Sequence, residues 1–266
     1  MSVINNMRML LTIATVGLAL SASGQGQSGR GTEGARGKGS GKGKGAAPQN
    51  SSAPAGPIPR GADGKPNFSG VFSAVAGVRE RQEPIAFQPW AEKKHAEFVA
   101  RQRVDEPTSR CLSAGVIRLT STAFFPLQFV QTPDQLVVLY EWDHFFRVIP
   151  TDGRAQVKDP DPPQSLGHSV GRWDGDALIV DVAGLSDYTW IDTNAGIHSD
   201  ALHIVETYRM LDADTIRYEA VLDDVQAWTK PWHFGTTLKR RSAKDKLLEY
   251  NCAENNKPDD YSGQVK

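Results

Sequence analysis

Nine short segments between residues 127 and 252 constrain the fold of this chain most strongly. They are rich in apolar and β-branched residues, Asp, Gly and Pro separate them, and no connection has the pattern of a helix. Because parallel strands need crossover connections, this pattern predicts an antiparallel meander closed into a barrel or sandwich. The predicted strands are Leu127–Gln131, Gln135–Trp142, Phe145–Ile149, His168–Trp173, Ala177–Val182, Leu202–Met210, Thr215–Leu222, His233–Lys239 and Leu247–Cys252.

A single segment before these strands has the pattern of an α-helix. In Phe87–Arg103, bulky residues such as Trp90 and Phe98 recur at helical spacing, and three alanines add helix propensity. Pro89 suits the first turn, where the missing N–H costs nothing. The predicted fold class is therefore mainly β, an antiparallel meander closed into a barrel, with one N-terminal helix.

The N-terminus has the features of an export signal. Arg8 precedes the apolar run Met9–Leu20, which is too short to span a bilayer, and small residues follow at Ser21–Gly24. We predict a signal peptide over residues 1–23 and a periplasmic or secreted protein. Because no other stretch approaches the length of a membrane helix, we predict no membrane span.

Residues 24–60 are rich in glycine and lysine and contain almost nothing apolar to bury, so they predict a disordered linker. The first 60 residues hold seven Lys/Arg and one acid, which leaves 23 basic and 30 acidic residues in the predicted barrel domain, residues 61–266. A folded part with a net charge of −7 argues against a nucleic-acid partner, which needs a basic face.

The chain has two cysteines, Cys111 and Cys252. In an oxidising compartment they are expected to form one disulfide, which would tie the start of the folded region to its last predicted strand. The alternative is a pair of separate buried thiols.

Gly167–Gly171 matches the G-x-S-x-G pattern of serine hydrolases, with Ser169 at its centre. A nucleophile elbow needs an apolar strand before the motif and a helix after it. Here a Pro- and Asp-rich stretch precedes the motif, and a hairpin sequence follows it. We therefore interpret Ser169 as a strand residue and keep a serine hydrolase as an alternative.

Asp174-Gly175 lies between two predicted strands and is a strong signal for a two-residue hairpin turn. Pairing Trp173 with Asp176 on either side of this turn places His168 opposite Asp181. Since side chains alternate along a strand, this register places His168, Arg172 and Asp181 on one face and Ser169 on the other.

These residues predict a polar site inside the barrel, because a histidine beside a carboxylate has the tuned pKa that acid/base catalysis uses. The expected function is binding of a small organic molecule or substrate, with acid/base chemistry such as hydrolysis, elimination or isomerisation, and no cofactor. The alternative for each charged residue is an exposed cross-strand ion pair. The catalytic candidates are His168, Asp181, Arg172 and His198, and the ligand-binding candidates are Glu141, Arg147, Trp190 and Trp232.

Two other function classes stay open. A metal-dependent hydrolase would use His198 and His203, with Glu206 three residues further on. In a strand, however, His203 and Glu206 point to opposite faces, and no H-E-x-x-H or C-x-x-C motif is present. The non-enzyme alternative is a structural or interaction protein of the cell envelope. The sequence does not specify an oligomeric state.

Seven short motifs are spread over residues 64–256. They are Pro66–Val71, Arg110–Leu112, Thr151–Arg154, Ser169–Asp176, His198-Ser199 with Leu202-His203, Thr229–Trp232 and Glu249–Asn255. Their combination resembles a large group of exported bacterial proteins with no assigned activity, although that group usually has Pro where this chain has Ser113. The resemblance implies export, the domain boundaries and a shared barrel, and it implies no mechanism. The meander is lipocalin-like in general organisation, a fold analogy that carries no function.

Overall fold

The computed structural model describes residues 56–79 and 83–255. The predicted signal peptide, residues 1–23, and residues 24–55 of the predicted linker lie outside the described part. Residues 56–60, which the composition places in the linker, contact the barrel. The backbone N–H of Ala213 donates to the carbonyl oxygen of Gly56 at 3.1 Å, and Arg60 pairs with Asp176 at 2.7 Å. The packed part therefore begins before the predicted boundary at residue 61.

The described residues form one antiparallel sheet of nine strands, which curls into a nearly closed barrel and confirms the predicted mainly-β class. Around the barrel the strands run in the order β4-β3-β2-β1-β9-β8-β7-β6-β5. Their bounds are β1 Gly70–Arg79, β2 Leu127–Gln131, β3 Gln135–Tyr140, β4 Phe146–Pro150, β5 His168–Asp174, β6 Ala177–Ala183, β7 His203–Asp212, β8 Thr215–Asp223 and β9 Trp232–Arg240.

The two end strands, β4 and β5, meet where the barrel closes. Because nine strands alternate in direction, β4 and β5 run the same way, and no ladder of backbone hydrogen bonds joins them among the described strand pairs. Instead, Nη2 of Arg147 on β4 donates to Oγ of Ser169 on β5 at 2.8 Å. A Cβ on Gly171 would lie 3.1 Å from Ile149, so the absence of a side chain allows the close approach there. We call this junction the seam.

Apolar side chains fill the barrel interior. Alternate residues along β6, Leu178, Val180 and Val182, are fully buried, as a strand with one face on a core requires. Phe68, just before β1, stacks on Trp173 with the ring centroids 5.8 Å apart and is itself fully buried. The interior of the barrel is therefore a packed apolar core.

The hairpin between β5 and β6 is present, but its predicted register is wrong. Asp174 pairs with Ala177, so Gly175 and Asp176 form the turn, and only Gly175 has positive φ, as in a type II′ turn. His168 is consequently opposite Ala183 rather than opposite Asp181. The observed register differs from the predicted one by two residues. Because side chains alternate every second residue, the predicted grouping of side chains by face is still correct.

Helices lie around one end of the barrel. The predicted helix is α1, Pro89–Ala100, with Pro89 in the first turn. The described part of the chain also contains two short 3₁₀ turns, Pro107–Arg110 and Trp142–His144, and two unpredicted helices, α2 Val116–Ser121 and α3 Cys252–Asn255. No helix in the described part of the chain is long and apolar enough to cross a membrane. The Cys111 and Cys252 sulfurs lie 2.09 Å apart, as a disulfide requires.

The predicted strand Leu247–Cys252 is wrong, for an informative reason. Alternate backbone N–H groups of this extended segment do find acceptors, but the acceptors are side chains of residues 141–144. Leu248 donates to Glu141 at 2.7 Å, Tyr250 to Nε2 of His144 at 3.1 Å, and Cys252 to Asp143 at 2.6 Å. Every second N–H of the segment is therefore hydrogen-bonded, as in a strand, but the acceptors belong to side chains and not to a neighbouring strand.

The strand that the sequence missed is β1, which pairs with both β2 and β9 and joins the two halves of the sheet. Its burial alternates at Phe72 and Ala74, so period-2 patterning was present. Small residues and Gly77 weaken that signal over the second half of the strand.

Candidate functional site

A pocket of about 440 Å³ lies at the barrel end where β1 finishes and β9 begins, and we call it the mouth pocket. Its lining is mainly apolar and comes from β1, α2, the loop before β7 and the start of β9. The lining residues are Val75, Ala76, Gly77, Ile117, Arg118, Ser121, Thr122, Ala123, Phe124, Trp142, Ile191, Asp192, Thr193, Trp232 and Phe234.

Local backbone features hold this wall in place. The pairing of β1 with β9 shifts register between Ala74 and Arg79, a stretch that includes the lining residues Val75, Ala76 and Gly77. The indole N–H of Trp232 donates to the backbone oxygen of Glu83 at 2.8 Å and fixes the ring. At the rim, Phe124 is 88% exposed. Trp232, a predicted ligand-binding residue, is therefore part of a real concave surface.

Arg118 is the main polar group of the mouth pocket. Only 8% of it is exposed, its Nη2 donates to Glu106 at 2.6 Å, and its guanidinium lies 5.8 Å from the ring centroid of Trp142. Its Nη1 is buried and has no hydrogen-bond partner among the described residues. An unpaired buried donor costs about 1–3 kcal/mol, so an acceptor atom that reached it would be favoured.

A second polar group, Asp192, lines the mouth pocket on the loop before β7. Its Oδ1 accepts the backbone N–H groups of Asn194 at 2.8 Å and of Gly196 at 2.9 Å, so the loop itself holds the carboxylate in place. The pocket thus combines aromatic walls with one cation and one anion, a composition common in small-molecule sites. Arg118 was not indicated by the sequence, because its six-residue helix α2 lies outside the predicted strands and the predicted helix.

A charged cluster is buried inside the barrel beside the seam. Arg147 donates to Glu206 through Nη1 at 3.1 Å and through Nη2 at 2.6 Å, and the hydroxyls of Tyr208 and Tyr218 donate to Oε1 of Glu206 at 2.9 and 2.8 Å. Glu206 is fully buried. Arg147, a predicted ligand-binding residue, is therefore buried, and its partner is a residue that the sequence indicated only as a metal candidate.

Electrostatics within this cluster oppose ionisation of the tyrosines. Burial, and then the charge of Glu206, raise the pKa values of Tyr208 and Tyr218 well above the usual tyrosine value. Burial disfavours the charge of Arg147, but the adjacent carboxylate more than offsets it and holds the pKa of the guanidinium well above its usual value. The cluster is an ion pair with neutral tyrosines, which suits a structural role.

Ser169 lies on the inner face of β5, and its Oγ accepts the hydrogen bond from Arg147. Its neighbour His168 points to the opposite face, where Nε2 is 3.0 Å from the backbone oxygen of Pro162. Strand β6 follows the motif after a tight turn, so the segment is a hairpin strand and lacks the strand–turn–helix form of a nucleophile elbow.

Three predicted interior residues lie on the outer face of the barrel, and that part of the prediction is wrong. Arg172 is exposed, His168 is half-buried under residues 160–163, and Asp181 bonds Nε2 of His203 at 2.9 Å. On β6 the even-numbered residues, such as Leu178, are fully buried. The face that carries them is therefore the inward one, and Asp181 lies on the other face. Asp181 and His203 line a groove of about 680 Å³ on the outside, and both are about 40% exposed.

The other candidates hold the structure together. His198 is buried, its Nδ1 donates to the backbone oxygen of Ser199 at 2.7 Å, and its Nε2 accepts from Thr189 at 2.8 Å. Burial lowers the pKa of His198, which favours the neutral form of the ring. Trp190 packs on Phe98 of α1 with the centroids 5.4 Å apart, and Glu141 caps Leu248 as described above. The catalytic and ligand-binding roles of these residues stay predictions.

The histidines of the metal alternative do not converge. His198 is occupied by Thr189 and Ser199, while His203 is on the outer face with Asp181. Among residues 56–79 and 83–255, no group of three or more His, Cys, Asp or Glu side chains is placed to hold a metal ion. Comparison of the chain with protein-family models and with curated proteins finds no match.

Proposed function

We propose that this protein binds a small organic molecule in the mouth pocket, with a flat apolar part against the aromatic wall and an acceptor atom near Arg118. The observation that carries this proposal is that Arg118, whose buried Nη1 has no partner among the described residues, lines an apolar pocket of about 440 Å³. Barrel mouths are frequent binding sites, and a pocket of this size suits a ligand of one or two rings.

Export to the periplasm or beyond belongs to the same proposal. The N-terminal pattern of residues 1–23 motivates it, and the pairing of Cys111 with Cys252 is typical of oxidising compartments. Acid/base chemistry by His168, Arg172 and Asp181 is not part of the proposal, because these side chains lie outside the barrel and away from the mouth pocket.

The uncharged dye N-phenyl-1-naphthylamine tests the pocket, because its fluorescence rises when it leaves water. We expect saturable binding to the full protein. The substitution Ala123→Phe should weaken it at least tenfold, about 1.4 kcal/mol, because the ring fills space beside Phe124. The matched control Ala253→Phe adds the same ring at an exposed position on α3 and should leave binding unchanged. Equal binding by both variants would refute the proposal.

The serine-hydrolase alternative has its own test, labelling with a fluorophosphonate probe. We expect no labelling of Ser169, because its Oγ accepts a hydrogen bond from Arg147 and the ring of His168 points to the opposite face, where it contacts the backbone oxygen of Pro162. Mass spectrometry of the treated protein would detect the adduct. Labelling that disappears in Ser169→Ala would restore the hydrolase interpretation.

A further inference from the structure

The seam leaves backbone groups of β4 without partners. The N–H of Tyr140 bonds the carbonyl of Phe145, and the N–H of Thr151 bonds the carbonyl of Asp134, so the odd-numbered residues of β4 face β3. Alternation then turns the N–H and C=O groups of Phe146 and Val148 towards β5. None of these four groups has a hydrogen-bond partner among the described residues.

The opposite edge has the same property. Asp174 and Ala177 close the two-residue hairpin, so alternate residues of β5 back from Asp174 bond β6, and Ser169 and Gly171 face β4 with their backbone. The two edges run in the same direction, and among the described residues no backbone–backbone hydrogen bond joins them, although the side chain of Arg147 bonds that of Ser169. Backbone donors and acceptors near the protein interior are normally paired, so this edge is available to water or to a ligand.

A pocket of about 760 Å³ lies against this edge, and we call it the seam pocket. Residues 143–148 line one side and residues 164–170 the other, while residues 154–157, which cross over the seam, form part of the cover. The close contact of Gly171 with Ile149 limits it at one end. It shares no lining residue with the mouth pocket.

The side chains beside the seam suit an apolar, extended guest. Phe146 is 63% exposed and Val148 is 44% exposed, although both are large and apolar. Val157 and Leu166 also line the pocket. Pro150 is the last residue of β4. It has no backbone N–H, so it is tolerated at an edge position where no strand accepts that hydrogen bond. Nε2 of Gln156 donates to the backbone oxygens of His168 and Asp181, so it holds the covering segment against β5 and β6.

We propose that the seam pocket binds a short, extended peptide or a molecule with the same secondary amides, which pairs with Phe146 and Val148 as an added strand segment. The unpaired N–H and C=O groups recur at every second residue along β4. The backbone of an extended peptide has donors and acceptors at the same spacing. Two or three residues span about 7–10 Å, which suits the few unpaired groups available. Apolar side chains of the guest would cover Phe146 and Val148.

The blocked dipeptide N-acetyl-valyl-valine methylamide is the probe, and backbone amide NMR of the full chain is the readout. We expect its addition to move the amide protons of Phe146 and Val148 downfield, as new hydrogen bonds do. An analogue with ester oxygens in place of the backbone N–H groups has nearly the same shape and apolar surface but no donors. It should bind at least tenfold more weakly. Equal binding of the two compounds, or shifts confined to the mouth pocket, would overturn the proposal.

A variant separates backbone pairing from simple apolar contact. Val148→Pro removes the N–H that faces the seam without removing a bond to β3, so the fold should persist. We expect binding of the dipeptide to fall at least tenfold, while Val148→Ala should weaken it less. Should Val148→Pro fail to fold, the comparison of the two compounds on the unaltered protein still decides. Dipeptide affinity retained in folded Val148→Pro would contradict the proposal.

Discussion

Replacing Glu206 with leucine should destabilise this protein by about 3–5 kcal/mol, because it leaves Arg147 as an unpaired charge inside the barrel. Glu206 accepts four hydrogen bonds, two from Arg147 and one each from Tyr208 and Tyr218. The tyrosine hydroxyls would lose their acceptor as well. Urea unfolding followed by tryptophan fluorescence measures the change, and Glu206→Gln, which keeps the shape, should show a smaller loss of the same sign.

The double replacement Arg147→Met with Glu206→Leu is the informative control. A buried ion pair can often be exchanged for apolar residues with little loss, so the double variant should recover at least half of the single-variant effect. Arg60→Met, which breaks the exposed pair with Asp176, should change stability far less. If Glu206→Leu unfolded at the same urea concentration as the parent protein, the buried pair would not carry the stability assigned to it.

Removing the disulfide should be about as damaging. Cys111 and Cys252 are 141 residues apart in the chain, so the bond closes most of the folded region into a loop. The chain-entropy model gives about 5 kcal/mol for a loop of this length, at the upper end of measured effects. The variant Cys111→Ser/Cys252→Ser should therefore unfold at markedly lower urea, and it is expected to lose the anchoring of residues 247–255 first.

Reduction of the unaltered protein provides the matched control, because it breaks the bond without changing composition. Dithiothreitol should lower the stability of the parent protein to that of the double serine variant and leave the variant itself unaffected. Equal stability of the parent protein and the serine variant under oxidising conditions would show that the bond contributes nothing.

Strands were predictable from sequence where apolar residues alternate between turn residues. Eight of the nine predicted strands are present within two residues of their expected ends, because one face of each is buried. The failures have local causes. Small residues and glycine dilute the alternation in β1, and side chains of residues 141–144 replace the strand partner expected for Leu247–Cys252.

The candidate site was predictable only in part. The hairpin pattern correctly separated His168 and Arg172 from Ser169, but nothing in it indicates which face is inward. The inward face is the one that carries the buried apolar side chains of β6, such as Leu178 and Val180. Arg147 was among the predicted ligand-binding residues, while its partner Glu206 lies on a strand 59 residues away in sequence.

The sequence by itself determined the class of fold, the helix α1 and the presence of the β5–β6 hairpin, because these depend on local periodicity, turn chemistry and composition. Only the tertiary structure decided the inward face, the mouth pocket around Arg118 and the unpaired edge at the seam. These depend on how nine twisted strands close on each other, and an odd number of antiparallel strands cannot close with an antiparallel last pair. The candidate ligand sites lie at the mouth and along that junction.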